Sequence, residues 1–369
     1  MDAILPLPLT GGRCYFPSPL KFFSSNARHR TTVQAEVKID KTAILGAGSW
    51  GTALAWLWGK DGRQISLWGN NPERVERMQE TRENSDYLPT LKIPNSVNIT
   101  HELHDCADAD LIVFVTPSTA LRGIVMRLQG VVGSAQAVLL SCTKGIEHGT
   151  GMRMTQILGE IFPKHRLAVL SGPDLAAEVV RNLPTATVIG CRDPECAANL
   201  QTFLGSSRFR IYTSEEITSI ELGGALKNVF AIAAGASDGL GLGDNTKAAL
   251  VTRSLAEMIR LGTAMGGSFK TFYGLSGSGD LIATCFSKHS RNRRVGEHLG
   301  RGETLQQITS SMQMVAEGIP TTKSAYECAR RLSVNTPIID QVYSLLYERK
   351  APIQAMQELL ERDQKAEQI

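Results

Sequence analysis

No apolar run in the 369-residue chain approaches the roughly 18–20 residues that cross a bilayer, which predicts a protein not integral to a membrane. Its seven cysteines form no Cys-x-x-Cys pair and no metal-ligand spacing. Cys191 and Cys196 flank a turn, and Cys142 and Cys285 read as packing thiols, a usage that fits a reducing compartment. There is no His-Glu-x-x-His. His101 and His104 can share a helix face near Cys106, but that is a poor zinc site, and no metal is expected. A large charge imbalance is missing too. The formal charge is +3, and the basic run from Lys288 to Arg294 is short and reads as a solvated face. Nucleic acid is therefore not an expected partner. What remains, 42% hydrophobic and 20% charged residues, is the composition of an ordinary globular protein with room for more than one core.

The first 36 residues differ from the rest. Arg13, Lys21, Arg28 and Arg30 are set among serine, threonine and proline, and Asp2 is the one acid before Glu36. This is the composition of an organelle transit peptide. The lack of an Arg-rich amphipathic helix points to a plastid, with a mitochondrion or the cytoplasm as alternatives. A disordered tail without function is the plainer reading.

From Lys41 the chain reads strand, then Gly46-x-Gly48-x-x-Gly51, then a small-residue helix. In that context Gly46 makes a tight turn, Gly48 lets backbone approach a pyrophosphate, and Gly51 lets helix and strand pack closely. The helix N-terminus adds free N–H groups and a positive dipole end. A bound dinucleotide is the expectation. Strands are predicted at Thr42–Gly46, Gln64–Trp68, Asp110–Val115, Ala137–Ser141, Leu167–Ser171 and Thr185–Ile189, with helices over Thr52–Lys60 and Glu73–Glu80 and a loop over Thr81–Asn98. The alternation predicts a parallel, doubly wound Rossmann-type α/β domain over residues 37–216. After Ile217 the strand-like runs stop, which predicts an all-α domain over 217–369.

The tip of the second strand, Trp68-Gly69-Asn70-Asn71-Pro72, carries no acid for a ribose 2′-hydroxyl, and Arg74 follows closely. Either NAD(H) or NADP(H) is compatible, and Asn70-Asn71-Pro72 also reads as a plain turn. Lys227 sits in an otherwise apolar helix, where desolvation lowers its pKa and suits a general acid. A lysine that snorkels or pairs with a carboxylate is the structural alternative. Lys144 follows a strand, Gly172 follows the next, Gly274–Leu281 is a glycine-rich loop holding Asp280, and Ser290-Arg291-Asn292 can grip a phosphate.

Together, Gly46–Ala53, Thr143-Lys144-Gly145, Gly172-Pro173, Ala225–Asn228, Gly277–Leu281, Ser290–Asn292 and Glu317-Gly318 make the chain resemble the bacterial-type NAD(P)-dependent glycerol-3-phosphate dehydrogenases from about Thr42 to Glu358. The resemblance implies a plastid form that reduces dihydroxyacetone phosphate for glycerolipid synthesis, and a homodimer. It implies that Gly46, Gly48, Ser49, Trp50, Gly51, Ala176, Arg291 and Glu317 lie against the cofactor, and that Lys144 meets both cofactor and substrate. Lys227 matches the proton donor and acceptor. Gly172, Asp280, Ser290, Arg291 and Asn292 match positions around the substrate. One departure stands out: the family usually has serine where this chain has Asp174, and a carboxylate there repels a phosphorylated ligand unless a cation intervenes. The helix dipole gives Asp174 a merely structural alternative. Leu175 in place of the common aromatic is a milder change. Two rival readings are a dehydrogenase of another hydroxy acid and a cofactor-binding sensor without catalysis.

Overall fold

A computed structural model describes residues 39–132, 136–312 and 314–363, together with Ala366. The transit segment expected at 1–36 lies outside the described residues. The described residues form ten strands: β1 (Lys41–Leu45), β2 (Gln64–Trp68), β3 (Glu83–Asn84), β4 (Leu88–Lys92), β5 (Val97–Thr100), β6 (Leu111–Phe114), β7 (Val138–Ser141), β8 (Arg166–Ser171), β9 (Thr185–Cys191) and β10 (Phe209–Ser214). Eight of them build one sheet in the order β10-β9-β8-β7-β6-β1-β2-β5.

The central strands are buried on both faces because nearly every residue in them is apolar. Ala43 and Leu45 of β1 pack with Ile112, Phe114 and Leu139 on one side. Ile44 packs with Leu67, Val113 and Leu140 on the other. Continuous apolar runs of this kind are what a doubly covered parallel sheet requires. β1 pairs in parallel with both β2 and β6, so the direction of winding reverses beside it. At such a switch point the carboxyl ends of the strands open a crevice.

Three details depart from expectation. The stretch Thr81–Asn98 is not a plain loop: β3 and β4 form an antiparallel hairpin, and β5 closes the edge of the main sheet against β2. Pro89 hides this from a sequence pattern, yet proline is tolerated in an edge strand such as β4. Strand β10 follows a period of two, with Phe209 and Ile211 inward and Arg210 and Tyr212 outward. The sheet is also not wholly parallel, since β9 runs antiparallel to β8. The link between them holds one helical turn, Ala176–Val179, instead of the crossover helix that returns a chain to the start of a parallel strand.

Among the described residues, no strand follows Ser214. The helix Thr218–Gly239 forms the axis of what comes next, buried along most of its length. Its small residues let neighbours approach to backbone distance. A Cβ on Gly235 would lie 1.9 Å from the Arg293 carbonyl oxygen, and one on Gly296 1.9 Å from that of Ile232. The helix Arg291–Gly300 therefore crosses it at glycine contacts. At its start, buried Glu221 accepts the Thr155 N–H at 2.8 Å and pairs with Arg153, which ties helix and sheet regions together.

The turn after β1 is built as its glycines require. Gly46 has φ +126°, and a Cβ on Gly51 would stand 1.9 Å from the Gly46 carbonyl oxygen. Gly51→Ala is expected to lower unfolding free energy by about 1–3 kcal/mol, since backbone atoms cannot rotate aside as a side chain does. Denaturant unfolding of the two forms checks this.

Candidate active site

The sheet delivers its candidate residues to one edge. Gly46 follows β1, Ser118 comes after β6, Lys144 after β7, and Gly172 and Asp174 after β8; these four strands run parallel, so all lie at their carboxyl ends. The helical region supplies Lys227, Asp280, Thr284, Arg291, Asn292 and Glu317. The segment expected as a glycine-rich loop, Gly274–Leu281, is one wide π turn over Leu275–Gly279 that runs into the helix Asp280–Phe286, which places Asp280 in that helix's first turn.

Four charges meet there. The Asp280 carboxylate, 2% exposed, bridges both lysines: Lys227 Nζ donates to Oδ1 at 2.6 Å and Lys144 Nζ to Oδ2 at 2.8 Å. Lys227 also donates to Thr284 Oγ1 at 2.7 Å. Lys144 donates in addition to Asp174 Oδ1 at 3.0 Å and to the Gly172 carbonyl at 3.2 Å. An ammonium has three donors. Lys144 therefore has all three engaged within the chain, whereas Lys227 keeps one unused by these partners.

Burial and pairing act differently on the four groups. Burial pulls the Lys227 pKa below the ordinary lysine value, against the opposing pull of Asp280. Burial also works against the Lys144 ammonium, but Asp174 and Asp280 outweigh it and hold that pKa above the ordinary value. Burial raises the Asp174 carboxyl, with Lys144 opposing. For Asp280, burial would raise the carboxyl, and the two lysines together hold it low. The expected repulsion from Asp174 thus meets a cation: Lys144 stands between the two carboxylates.

The remaining residues divide by what they touch. Glu317 accepts the Ser118 N–H at 3.0 Å and the Ser118 hydroxyl at 2.6 Å, joining the strand-end crevice to the helical region. The Asn292 amide is partly committed: its oxygen accepts the Gly318 N–H at 2.8 Å, and one N–H donates to Asn228 at 2.9 Å, which leaves the second N–H unused by these partners. The Ser290 oxygen caps the helix Arg291–Gly300 by accepting the Arg293 N–H. Arg291, largely buried, makes no hydrogen bond or ion pair among the described residues; its nearest charged neighbours include Glu317. The basic run is only in part a solvated face: Lys288, His289 and Arg294 are exposed, whereas Asn292 is buried and Arg293 pairs with Asp238 at 2.6 Å.

At the glycine turn, no heavy atom lies within 4 Å of a Cβ position on Gly48, so that face has room for a phosphate group. Ser49 Oγ faces Met314 Sδ at 3.2 Å. The Trp50 ring packs inward near Phe209, which leaves its backbone N–H at the helix start as its link to the turn. Ala176 opens the single helical turn after Gly172. Beyond β2, Asn71 caps the next helix by accepting the Arg74 N–H, as the turn reading requires. Arg74 is held by Asp86 at 2.9 Å and stacked on Tyr87. Sequence reasoning did not find Thr284 or Ser118, and it named Asn228 only as part of a motif, with no role; Thr284 lies one helical turn beyond Asp280, a spacing that offered a signal. Cys106 lies in the core, its thiol pushed up to about 12 by burial, and His101 pairs with Glu102.

Two family models cover the chain: the NAD-dependent glycerol-3-phosphate dehydrogenase N-terminus over residues 41–197 and the C-terminus over 216–357. The chain belongs to the NAD-dependent glycerol-3-phosphate dehydrogenase family. It is 47% identical over 328 residues to a glycerol-3-phosphate dehydrogenase [NAD(P)+] of Syntrophotalea carbinolica, covering 88% of this chain and 98% of that one. A namesake from Geobacter sulfurreducens is 46% identical over 332 residues, with 89% and 99% covered. The crystal structure of glycerol-3-phosphate dehydrogenase from Coxiella burnetii matches with a TM-score of 0.85 at 37% identity, over 88% of this chain and all of that one. Membership makes this chain an oxidoreductase using NAD(H) or NADP(H), which sets aside the sensor reading.

Proposed function

We propose that this protein catalyses the reversible, NAD(P)H-dependent reduction of dihydroxyacetone phosphate to sn-glycerol 3-phosphate. The observation that carries the reading is the unused donor of Lys227, held rigidly by Asp280 and Thr284 beside a second lysine. When bound, the nicotinamide supplies hydride to C2 of the ketone. Gly46, Gly48 and Gly51 would shape the turn for its pyrophosphate, with the helix-start N–H groups of Ser49 and Trp50 as donors, and Ala176, Arg291 and Glu317 would help hold the cofactor. Lys227 gives its proton to the developing alkoxide, an arrangement whose value lies in being preorganised. Asp280 orients Lys227 and Lys144 together. Lys144 sets the positive potential at the carbonyl, and reaches substrate or cofactor only by exchanging one of its three partners. Arg291 grips the phosphate, beside Gly172 and Ser290. Asn292 supports that grip by fixing the start of its helix to Gly318.

We further assign the first 36 residues to a plastid transit peptide, the product to glycerolipid synthesis, and the working form to a homodimer. The basic, acid-poor composition of the leader supports the first of these.

The deciding experiment follows NADH and NADPH absorbance with dihydroxyacetone phosphate added. Oxidation that requires the phosphorylated ketone establishes the reaction; none with a folded, cofactor-binding protein overturns it. Arg291→Ala is expected to raise the substrate KM by about 10- to 100-fold with kcat much less affected, the loss of a charge-assisted contact to phosphate. Initial rates over a substrate series check it.

A further inference from the structure

We propose that Asp174 is an internal ligand for Lys144 that withholds its ammonium from the substrate, and so sets a weaker grip on the phosphorylated ketone than the site would otherwise have. The inference rests on the proposed reaction and adds a positioning residue to it.

Three observations carry it. First, Asp174 takes the third donor of Lys144, after Asp280 and the Gly172 carbonyl, so no N–H of that lysine is left for a ligand. Second, among the described residues the carboxylate has no other hydrogen-bond partner. Its side chain is 6% exposed, yet Oδ2 is buried and none of those residues bonds to it. A carboxylate kept for architecture uses both oxygens, because a buried oxygen left unpaired costs free energy. Nor does Asp174 cap the helical turn Ala176–Val179, whose cap position is Leu175 and makes no side-chain bond. What the dipole alternative has left is a single four-residue turn, Ala176–Val179, without a hydrogen bond to the carboxylate. Third, Asp174 changes the charge of the site. Lys144 and Lys227 against Asp280 alone leave one positive charge beside an incoming phosphate. With Asp174 the four side chains sum to zero. Removing a buried negative charge from a site that binds a dianion strengthens binding, and more so where water is excluded.

A serine at this position would carry no charge. Asp174→Ser is the direct test. It is expected to lower the KM for dihydroxyacetone phosphate by about tenfold, as expected when a charged donor is released to a ligand, while the KM for NADH stays within twofold. The rise in melting temperature with sn-glycerol 3-phosphate, measured on the full chain without turnover, should begin at correspondingly lower concentration. Asp174→Asn keeps the shape and an oxygen for Lys144 but loses the charge, so its KM should fall between the two. An unchanged or higher KM in both variants, with melting temperatures like the parent's, overturns the proposal, because a merely structural carboxylate has no reason to weaken binding. Failure of the underlying reaction shows separately: the parent protein would then not oxidise NADH or NADPH with the phosphorylated ketone at all.

Discussion

Lys227→Ala is expected to reduce kcat for dihydroxyacetone phosphate reduction by about 10²–10⁴-fold, the range for a lost general acid. Dinucleotide affinity should change little, because Lys227 lies on the helix Thr218–Gly239 and, among the described residues, its ammonium bonds only Asp280 and Thr284. The loss would fall on kcat and kcat/KM together, as it does when an interaction is made in the transition state. Lys227→Met separates chemistry from packing: it fills similar volume, carries no proton, and should be as inactive while melting close to the parent. Near-normal turnover in either variant would remove Lys227 from the mechanism. The pH profile gives a second reading. Reduction needs the ammonium, and burial brings the Lys227 pKa below the ordinary lysine value. Reduction should therefore fall as pH rises through that lowered pKa. Oxidation of glycerol 3-phosphate, which needs the free amine, should rise over the same interval.

How far the site was legible follows from what each residue depends on. The glycine turn could be read directly, because Gly46 and Gly51 answer to constraints within a few residues: a positive φ at one and a close carbonyl at the other. Lys227 was legible because burying a lone cation among small apolar residues is costly unless a partner or a reaction requires it there. The charge network was less so. Asp280 meets Lys144 across 136 positions of sequence, and no periodicity encodes that distance. Asn292 was read as a phosphate ligand beside Arg291, and its sequence neighbours gave no sign that its amide oxygen would accept from Gly318 and one of its two N–H groups donate to Asn228. Among the strands, β5 was hidden behind Pro89 and Pro94, and β10 was too polar to register, since only Phe209 and Ile211 of its six residues are buried. The antiparallel β9 depends on the shortness of its link, which the strand pattern does not show.

Asp280→Ala is expected to cost about 3–5 kcal/mol of unfolding free energy, the penalty for stripping the partner from a buried charge. Its carboxylate is the one group in the cluster that contacts both lysines, and it joins Lys144 of the sheet region to the helix carrying Lys227. Without it, Lys144 still has Asp174 at 3.0 Å, while Lys227 is left with the Thr284 hydroxyl. The damage should therefore centre on Lys227. That gives an ordering a simple loss of packing does not produce: the double variant Asp280→Ala with Lys227→Met should be more stable than Asp280→Ala alone, because the stranded ammonium has gone with its partner. Urea unfolding of the four forms measures the coupling. Equal stability of the single and double variants would mean that Asp280 contributes through packing and not through the charge it holds. In that case Lys227 would need another source for the fixed orientation on which its proton transfer depends.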